Sequence, residues 1–241
     1  MNKWIINILG GLLIGLPLLA EPAVRIAGIR GDVRVRRGLE ESWSAAGVGM
    51  QLKPLDTIFS GEASEVVLLL EDGTRFTLGG NAVLDVGDLR RITERQMFLF
   101  LMSQKVGRIA APDSASKIHI ANVSVVRGSQ KQVNPESSAN SDPQSWIREK
   151  NGAKALLEAD LFTNAVVKSH KILQRYPAVL DRGEIQCLLG KAFESLKETG
   201  RAVDAYQAAL EQVNDCSDAS PTMTECKLRI EAALRRLKSG S

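Results

Sequence analysis

Histidine is scarce, and so are the residue combinations that carry catalysis or bind metals. The chain of 241 residues has two histidines, His119 and His170, and neither has a Cys, an Asp or a second His at metal-ligand spacing. The sequence also contains no Gly-x-Ser-x-Gly nucleophile elbow, no phosphate-binding loop and no dinucleotide-binding fingerprint. We therefore expect a protein that is not an enzyme, has no small-molecule substrate, and holds no metal or cofactor.

Cysteine is nearly as rare, with three residues and no Cys-x-x-Cys pair, so neither redox catalysis nor a zinc site is indicated. Cys216 and Cys226 flank a turn-rich segment between two helical patterns and could form one disulfide in an oxidising compartment. Cys187 lies in an apolar helical pattern, where a small packed side chain is the simplest interpretation.

An excess of either charge is also missing. Lysine and arginine number 31 against 28 acidic residues, and the net charge of +3 gives no reason to expect a nucleic acid partner. One basic cluster stands out, formed by Arg34, Arg36 and Arg37. We interpret it as a solvated strand face that discourages edge pairing rather than as a site for glycan or lipid headgroups.

The only long apolar run is at the N-terminus. Lys3 precedes an apolar core over residues 4–19, and Ala20 precedes the first acidic residue. This pattern is typical of a secretory signal peptide spanning residues 1–20, which predicts a periplasmic protein. Leu18 is larger than the small residue preferred two positions before Ala20, the last residue that would be removed. An uncleaved anchor in the inner membrane is therefore the alternative, and it is the only expected contact with a membrane.

Residues 23–128 consist of short β-type runs separated by Gly, Asp and Asn, at roughly the eight- to twelve-residue spacing of all-β domains. Asp72 and Gly73 lie between two apolar runs and predict a hairpin, and residues 79–81 predict the next bend. The run at residues 97–102 is compatible with either helix or strand. The predicted core face consists of alternating apolar residues: Val66, Leu68, Leu70, Phe76, Leu78 and Leu84.

Acidic residues recur at the predicted turns of this region, among them Asp56, Asp72 and Asp85. A calcium site needs several oxygens within one short loop, whereas these residues are scattered. Asp accepts backbone hydrogen bonds in turns, so we interpret all of them as turn residues. On this interpretation, Asp85→Asn is expected to be nearly silent.

Composition then changes twice. Residues 129–145 are rich in Ser, Asn, Gln and Pro and predict a flexible polar linker. From residue 146 to 239 the apolar period becomes helical and indicates two helical hairpins followed by one more helix. The predicted fold class is therefore α+β and multidomain, with an all-β unit before an all-α unit.

The second hairpin resembles a tetratricopeptide repeat. Gly190, Phe193, Ala202 and Tyr206 follow the order and spacing of that family, and a weaker copy precedes them with Ala165 at the place of Ala202. The resemblance implies two repeats plus a capping helix over residues 146–239. It also implies a concave face that binds a protein partner, onto which four side chains would project: Lys150, Lys154, Lys191 and Glu194.

The first half resembles the FecR family of bacterial envelope domains, through Leu55-Asp56, the Ser64-Glu65-Val66 run, the Asp72-Gly73 hairpin and the closing residues 126–129. The resemblance implies a twisted or solenoid-like β-domain. The best-known members relay iron-uptake signals to a cytoplasmic sigma factor and need a cytoplasmic segment before the membrane span. This sequence begins with its apolar leader, so we do not carry that role over.

These observations predict a non-enzymatic, exported scaffold of the cell envelope. Its β-domain would recognise an envelope component, and its repeats would recruit a protein partner. The alternative is a FecR-type sensor of transmembrane signalling held by an uncleaved N-terminal anchor.

Overall fold

The computed structural model describes residues 24–107, 144–177, 182–215 and 221–239. Eight strands come first, and a single-turn 3-10 helix, Val86–Leu89, separates them from six α-helices. The strands are β1 Val24–Arg30, β2 Val33–Arg36, β3 Trp43–Ala45, β4 Gln51–Leu52, β5 Thr57–Ser60, β6 Glu65–Leu69, β7 Arg75–Leu78 and β8 Ala82–Asp85. The helices are α1 Glu94–Gly107, α2 Ser145–Glu158, α3 Phe162–Arg175, α4 Arg182–Ser195, α5 Thr199–Asp215 and α6 Pro221–Ser239.

The strands form two antiparallel four-stranded sheets, with orders β4-β1-β6-β7 and β3-β2-β5-β8. The predicted hairpin at Asp72 and Gly73 is confirmed, because it joins β6 to β7 and Leu69 pairs with Arg75. Gly73 has φ +79°, a backbone conformation that a residue with a Cβ rarely adopts. The Asp72 carboxylate accepts a 2.9 Å hydrogen bond from the Thr74 amide and holds the turn.

Alternation along the strands decides which face is buried. Val33 and Val35 of β2 are buried, while Arg34 between them faces outward. The inner faces of both sheets contribute to one shared apolar core. Of the six predicted core residues, Leu70 is partly exposed. The other five are fully buried: Val66, Leu68, Phe76, Leu78 and Leu84.

The expectation of an all-β unit up to residue 128 is wrong for residues 94–107, which form helix α1. The reason is a capping box at its start. The Thr93 hydroxyl accepts a hydrogen bond from the Gln96 amide at 3.2 Å, and the Gln96 side chain accepts one from the Thr93 amide at 3.0 Å. The Thr-x-x-Gln spacing is visible in the sequence and resolves the ambiguous apolar run as a helix. Met97 anchors α1 because it is fully buried.

The helical period after residue 145 does produce helices, α2 to α6. Helices α4 and α5 pack closely at Gly190, where a Cβ would lie 2.5 Å from the Tyr206 ring. Ala202, Phe193 and Tyr206 are all buried. A small residue therefore faces a large one where the two helices cross, as the repeat-like spacing predicts.

The helices pack directly on the sheet that ends in β8. At Gly152 of α2, a Cβ would overlap the carbonyl oxygen of Val83 in β8, so the helix backbone lies against the strand. The Asn151 side chain donates a 2.7 Å hydrogen bond to the Asn81 carbonyl just before that strand. The β part and the helices therefore share an extensive boundary, of which the sequence carried no obvious sign.

Several predictions fall outside the described residues. The signal peptide at residues 1–20, nearly all of the linker at 129–145 and Cys216 are among them, so the proposed Cys216–Cys226 disulfide stays a prediction. Cys187 is buried, as its apolar pattern indicates. In the described parts of the chain, every helix is too short or too polar to span a lipid bilayer.

The contact at Gly190 generates a test of the helical packing. Gly190→Ala is expected to lower the free energy of unfolding by about 1–3 kcal/mol, because the new methyl group overlaps the buried Tyr206 ring. Urea unfolding followed by circular dichroism measures it. The matched control is Gly200→Ala, also in a helix and with no described atom within 4 Å of the new methyl group. That control is expected to be neutral or stabilising by up to about 1 kcal/mol. Equal stability of the two variants would contradict the packing.

Candidate functional site

Six charged side chains meet where the helices cover the second sheet, and we call them the junction cluster. They come from the end of β8, the 3-10 helix, α2 and α3. The cluster is electrically balanced, with three carboxylates and three cations. Its members are Asp85, Asp88, Glu149, Lys168, Lys171 and Arg175.

Lys168 is the centre of the junction cluster and is only 1% exposed. Its Nζ lies 3.0 Å from Asp88 Oδ2, 3.3 Å from Asp85 Oδ2 and 3.8 Å from Glu149 Oε2. Burial alone would lower the pKa of Lys168, but the three carboxylates outweigh it and raise that pKa above its ordinary value. Lys168 is therefore a buried permanent cation at neutral pH, bound on three sides.

Asp85 corrects the interpretation of the acidic residues as turn residues only. Asp56 and Asp72 do serve turns, since both accept backbone amide hydrogen bonds. Asp85 instead ends β8, accepts a 3.0 Å hydrogen bond from Thr57 and pairs with Lys168. Burial would raise the pKa of Asp85, but the Lys168 charge and the Thr57 bond lower it below its ordinary value. Asp85→Asn is therefore not expected to be silent.

A polar stripe on α3 explains why the sequence did not reveal the contact between this helix and the β part. Asn164, Lys168, Lys171 and Arg175 recur at spacings of four, three and four residues, which places them on one side of the helix. The usual interpretation of such a stripe is a solvated face. Here Asn164 is buried, and its side-chain amide donates to the carbonyl oxygens of Asp88 at 2.6 Å and Arg90 at 2.7 Å. The stripe faces the β part.

A groove with a volume of about 320 Å³ lies beside the junction cluster, on the outer face of the second sheet. Both parts of the chain build it, since strands β2, β3, β5 and β8 meet the first turn of α2 there. Glu149 belongs to both the groove and the cluster. We call this feature the junction groove, and its lining residues are Arg34, Trp43, Phe59, Val83, Ser145, Arg148 and Glu149.

Aromatic rings and guanidinium groups dominate the junction groove. Trp43 and Phe59 meet edge to face with ring centroids 5.9 Å apart. The Arg148 guanidinium lies 5.4 Å from the Phe59 centroid, and that of Arg36 lies 5.3 Å from the Trp43 centroid. Trp43 stays 40% exposed, so part of its side chain remains accessible from the groove.

Hydrogen bonds connect the groove to the junction cluster across the sheet. Arg36 donates to the Thr57 hydroxyl at 3.2 Å, and that hydroxyl donates to Asp85 Oδ1 at 3.0 Å. These residues lie in one row across four strands, because Trp43 pairs with Arg36, Arg36 with Thr57, and Thr57 with Asp85. Asp85 then contacts Lys168 of α3.

The four predicted protein-binding residues lie in different environments. Lys150 pairs with Glu184, so it joins α2 to α4, and Glu194 pairs with Arg236, so it joins α4 to α6. Glu194 also accepts a 3.0 Å hydrogen bond from Tyr206. Lys154 is well exposed and pairs with Glu158 along its own helix, and Lys191 is partly exposed. Lys150 and Glu194 therefore connect alternate helices, α2 to α4 and α4 to α6, rather than offering isolated charges.

The members of the predicted basic cluster, Arg34, Arg36 and Arg37, also have different partners. Arg37 pairs with the buried Asp56 carboxylate, while Arg34 pairs with the exposed Asp32 and lines the groove. Burial would raise the pKa of Asp56, but amide hydrogen bonds and Arg37 lower it below its ordinary value. The interpretation as a solvated face overlooked the aromatic residues beside Arg34 and Arg36.

Comparison with known proteins adds no evidence to the geometry described above. No protein-family model, curated protein or solved structure matches the chain. Among the described residues, no group of three His, Cys, Asp or Glu side chains is arranged to hold a metal ion. In the acidic part of the junction cluster, the position between the carboxylates is taken by the Lys168 ammonium group.

The buried ammonium group generates the second test. Lys168→Met keeps the length of the side chain but leaves Asp88 and Glu149 buried without their shared cation. We expect a loss of about 3–5 kcal/mol in the free energy of unfolding, measured by urea titration at pH 7. Lys154→Met is the matched control, because its side chain is 62% exposed, and it is expected to change stability by less than about 0.5 kcal/mol. A loss below about 1 kcal/mol for Lys168→Met would contradict the role given to the cluster.

Asp85 generates the third test, through pH. A carboxyl whose pKa is lowered by folding stabilises the protein above its unfolded pKa, near 3.8, and this contribution disappears as the pH falls through the lower folded pKa. Asp85→Asn is expected to cost about 1 kcal/mol at pH 7 and progressively less below pH 4. Urea unfolding at pH 7, 5 and 3 measures the difference. Asp204→Asn, an exposed change in α5, should show no such convergence with the wild type.

Proposed function

We propose that the protein is an exported, non-enzymatic binding protein of the cell envelope. Its FecR-like β part and its tetratricopeptide-like hairpins would act together as one scaffold. The observation that carries this proposal is the junction groove, because both parts of the chain contribute to it and its lining is rich in aromatic and guanidinium groups. Residues of these two types dominate the binding energy of protein interfaces.

The chemistry of the groove favours binding over catalysis. Its volume lies at the lower end of the range of ligand pockets. Its one carboxylate, Glu149, accepts a 3.0 Å hydrogen bond from Tyr176 and pairs with Arg175. A carboxylate held in this way by a cation is poorly suited to remove or deliver a proton.

Local sequence features support the family part of the proposal. Asp72 and Gly73 are among the residues that carry the first resemblance, and they form a hairpin. Gly190 and Tyr206 are among those that carry the second, and they meet where two helices cross. The location in the envelope depends on the signal-peptide pattern of residues 1–20.

This proposal places the partner surface at the junction groove instead of the concave face of the repeats. The repeat resemblance implies a concave face, but Lys150 and Glu194 already pair with residues of neighbouring helices there. Breaking those pairs would cost stability that a partner would have to restore. The junction groove keeps an exposed Trp43 and so needs no such rearrangement.

Crosslinking in the cell tests the function. The full chain, exported with its own leader and carrying a C-terminal tag, is crosslinked in intact bacteria, and captured proteins are identified by mass spectrometry. We expect envelope proteins to be captured and the purified chain to begin at Glu21. Capture of cytoplasmic proteins only, or a chain found in the cytoplasm, would overturn the proposal. A chain that retains residues 1–20 in the inner membrane would favour the anchored sensor instead.

A further inference from the structure

Helix α1 carries apolar side chains on two opposite sides. Met97 is fully buried in the core, and residues 100, 101 and 104 follow it on the same side and are partly buried. Phe98, Leu99 and Met102 lie on the other side and are 45%, 56% and 41% exposed. A surface helix of a globular protein ordinarily buries one apolar side and exposes a polar one. The outer side of α1 differs from this pattern, so it is suited to contact an apolar medium or partner.

This outer side distinguishes α1 from the other helices. Arg95, Phe98, Leu99 and Met102 are spaced at i, i+3, i+4 and i+7, which places them in one stripe along the helix. Among the described residues of α2 to α6, Leu228 is the one large apolar side chain that is comparably exposed. We call the four residues of α1 the outer stripe.

The chain around the start of α1 is basic. Residues 90–104 contain three arginines, Arg90, Arg91 and Arg95, against one acidic residue, Glu94, which gives this segment a formal charge of +2. Arg91 is 80% exposed and pairs with Asp72 at 3.3 Å. The exposed side chains of Arg90 and Arg95 form no ion pair or hydrogen bond with the part of the chain that the structure describes. Two cations are therefore available, one at the start of α1 and one within the outer stripe.

Arg201 of α5 borders the outer stripe. Its guanidinium lies 5.8 Å from the Phe98 centroid and 5.9 Å from the Phe193 centroid, and it pairs with Glu198 at 3.8 Å. Phe98 is therefore held by a cation on one side and keeps its other side exposed.

Helix α1 begins near the point where the chain enters β1. In the first sheet, Arg25 pairs with Leu69, so the turn between β6 and β7 lies beside the first residue of β1. Asp72 of that turn pairs with Arg91, three residues before α1. The apolar run of residues 4–19 precedes β1 in the sequence. A leader that stays in a membrane would therefore hold the start of α1 close to the same membrane.

We propose that the outer stripe of α1 binds the surface of an anionic lipid bilayer. Phe98, Leu99 and Met102 enter the boundary between headgroups and acyl chains, and Arg90 and Arg95 pair with lipid phosphates. Helix α1 has 14 residues, fewer than the ~20 that cross the hydrocarbon core, so it lies along the surface. This inference goes beyond the proposed function and does not involve the junction groove.

The chemistry of the outer stripe favours lipid over a second protein. A stable protein interface buries ~800 Å² of each partner, and charged residues are depleted at its centre. The outer stripe offers three partly exposed apolar side chains, and the free guanidinium of Arg95 is in line with them. At a bilayer surface, the long arginine side chain reaches the headgroups while its apolar neighbours stay in the hydrocarbon boundary.

Cosedimentation with lipid vesicles tests the proposal on the protein purified after export. Vesicles of phosphatidylglycerol and phosphatidylcholine in equal parts supply the anionic surface, and vesicles of phosphatidylcholine alone supply the neutral one. We expect the wild type to bind the anionic vesicles at least about tenfold more tightly than the neutral ones. Arg95→Glu is expected to weaken binding to the anionic vesicles at least about fivefold, because it reverses a charge that faces the lipid phosphates.

Leu99→Asp tests the apolar contact. It is expected to weaken binding to the anionic vesicles at least about tenfold, because a carboxylate replaces a side chain that enters the bilayer. Leu228→Asp is the matched control, since Leu228 of α6 is 58% exposed and its substitution changes the net charge by the same amount. The control should leave the affinity unchanged.

Fluorescence quenching locates α1 itself, also in a chain that retains its leader. Leu99→Trp adds a tryptophan to the outer stripe, and lipids brominated on their acyl chains quench a tryptophan that reaches the hydrocarbon boundary. We expect the emission added by Leu99→Trp to be quenched on anionic vesicles and that added by Leu228→Trp to be unaffected. Equal quenching of the two, or quenching of neither, would overturn the inference.

Other occupants of the outer stripe predict different results, and each would also overturn the inference. A second copy of the chain predicts a dimer that Leu99→Asp converts to a monomer in analytical ultracentrifugation, while Leu228→Asp does not. A cover provided by the chain itself predicts that Leu99→Asp lowers the thermal unfolding temperature far more than Leu228→Asp does. A protein partner predicts no vesicle binding and crosslinked proteins that are lost in Leu99→Asp.

The proposed function has a separate outcome. If crosslinking captures envelope proteins equally with the wild type and with Leu99→Asp while neither binds vesicles, the binding function stands and the lipid contact of α1 is wrong.

Discussion

The structure depends on one buried charge, the ammonium group of Lys168. It lies among carboxylates from β8, the 3-10 helix and α2, so a single side chain of α3 connects three other elements. Removing one partner from such a buried cluster leaves an uncompensated charge, which costs more than the intact cluster contributes. The relative position of sheet and helices is therefore specified by charge as well as by the apolar packing that Gly152 allows against β8.

The groove is a consequence of that arrangement. Covering the β8 edge with α2 places Arg148 over Phe59 and turns a plain outer sheet face into a concave surface. Among the described strands, β3 is the opposite edge of the same sheet. A hydrogen-bonded row from Arg36 through Thr57 and Asp85 to Lys168 connects this surface to the helices. The groove and the junction cluster thus share Glu149 and are connected through this row.

Sequence patterns predicted well those structural elements that depend on interactions between neighbouring residues. The Asp72-Gly73 hairpin, the alternating core of β6 and β7 and the helix pairing at Gly190 all follow from turn chemistry, period and residue size. Helix α1 was predictable as well, but only from the Thr93–Gln96 capping box, which outweighs the ambiguous apolar run that follows it. The candidate site was not predictable in this way, because its residues come from four strands and a helix far apart in the chain.

The sequence by itself determined the Asp72-Gly73 hairpin, the apolar faces of β6 and β7 and the close contact at Gly190, because neighbouring residues decide those properties. Only the tertiary structure decided what the polar residues do. Asp85 looks like a turn residue and Lys168 like a surface lysine until β8 and α3 come together, 83 residues apart. The structural role of a charged residue depends on the partners that folding places around it, and spacing along the chain does not reveal those partners.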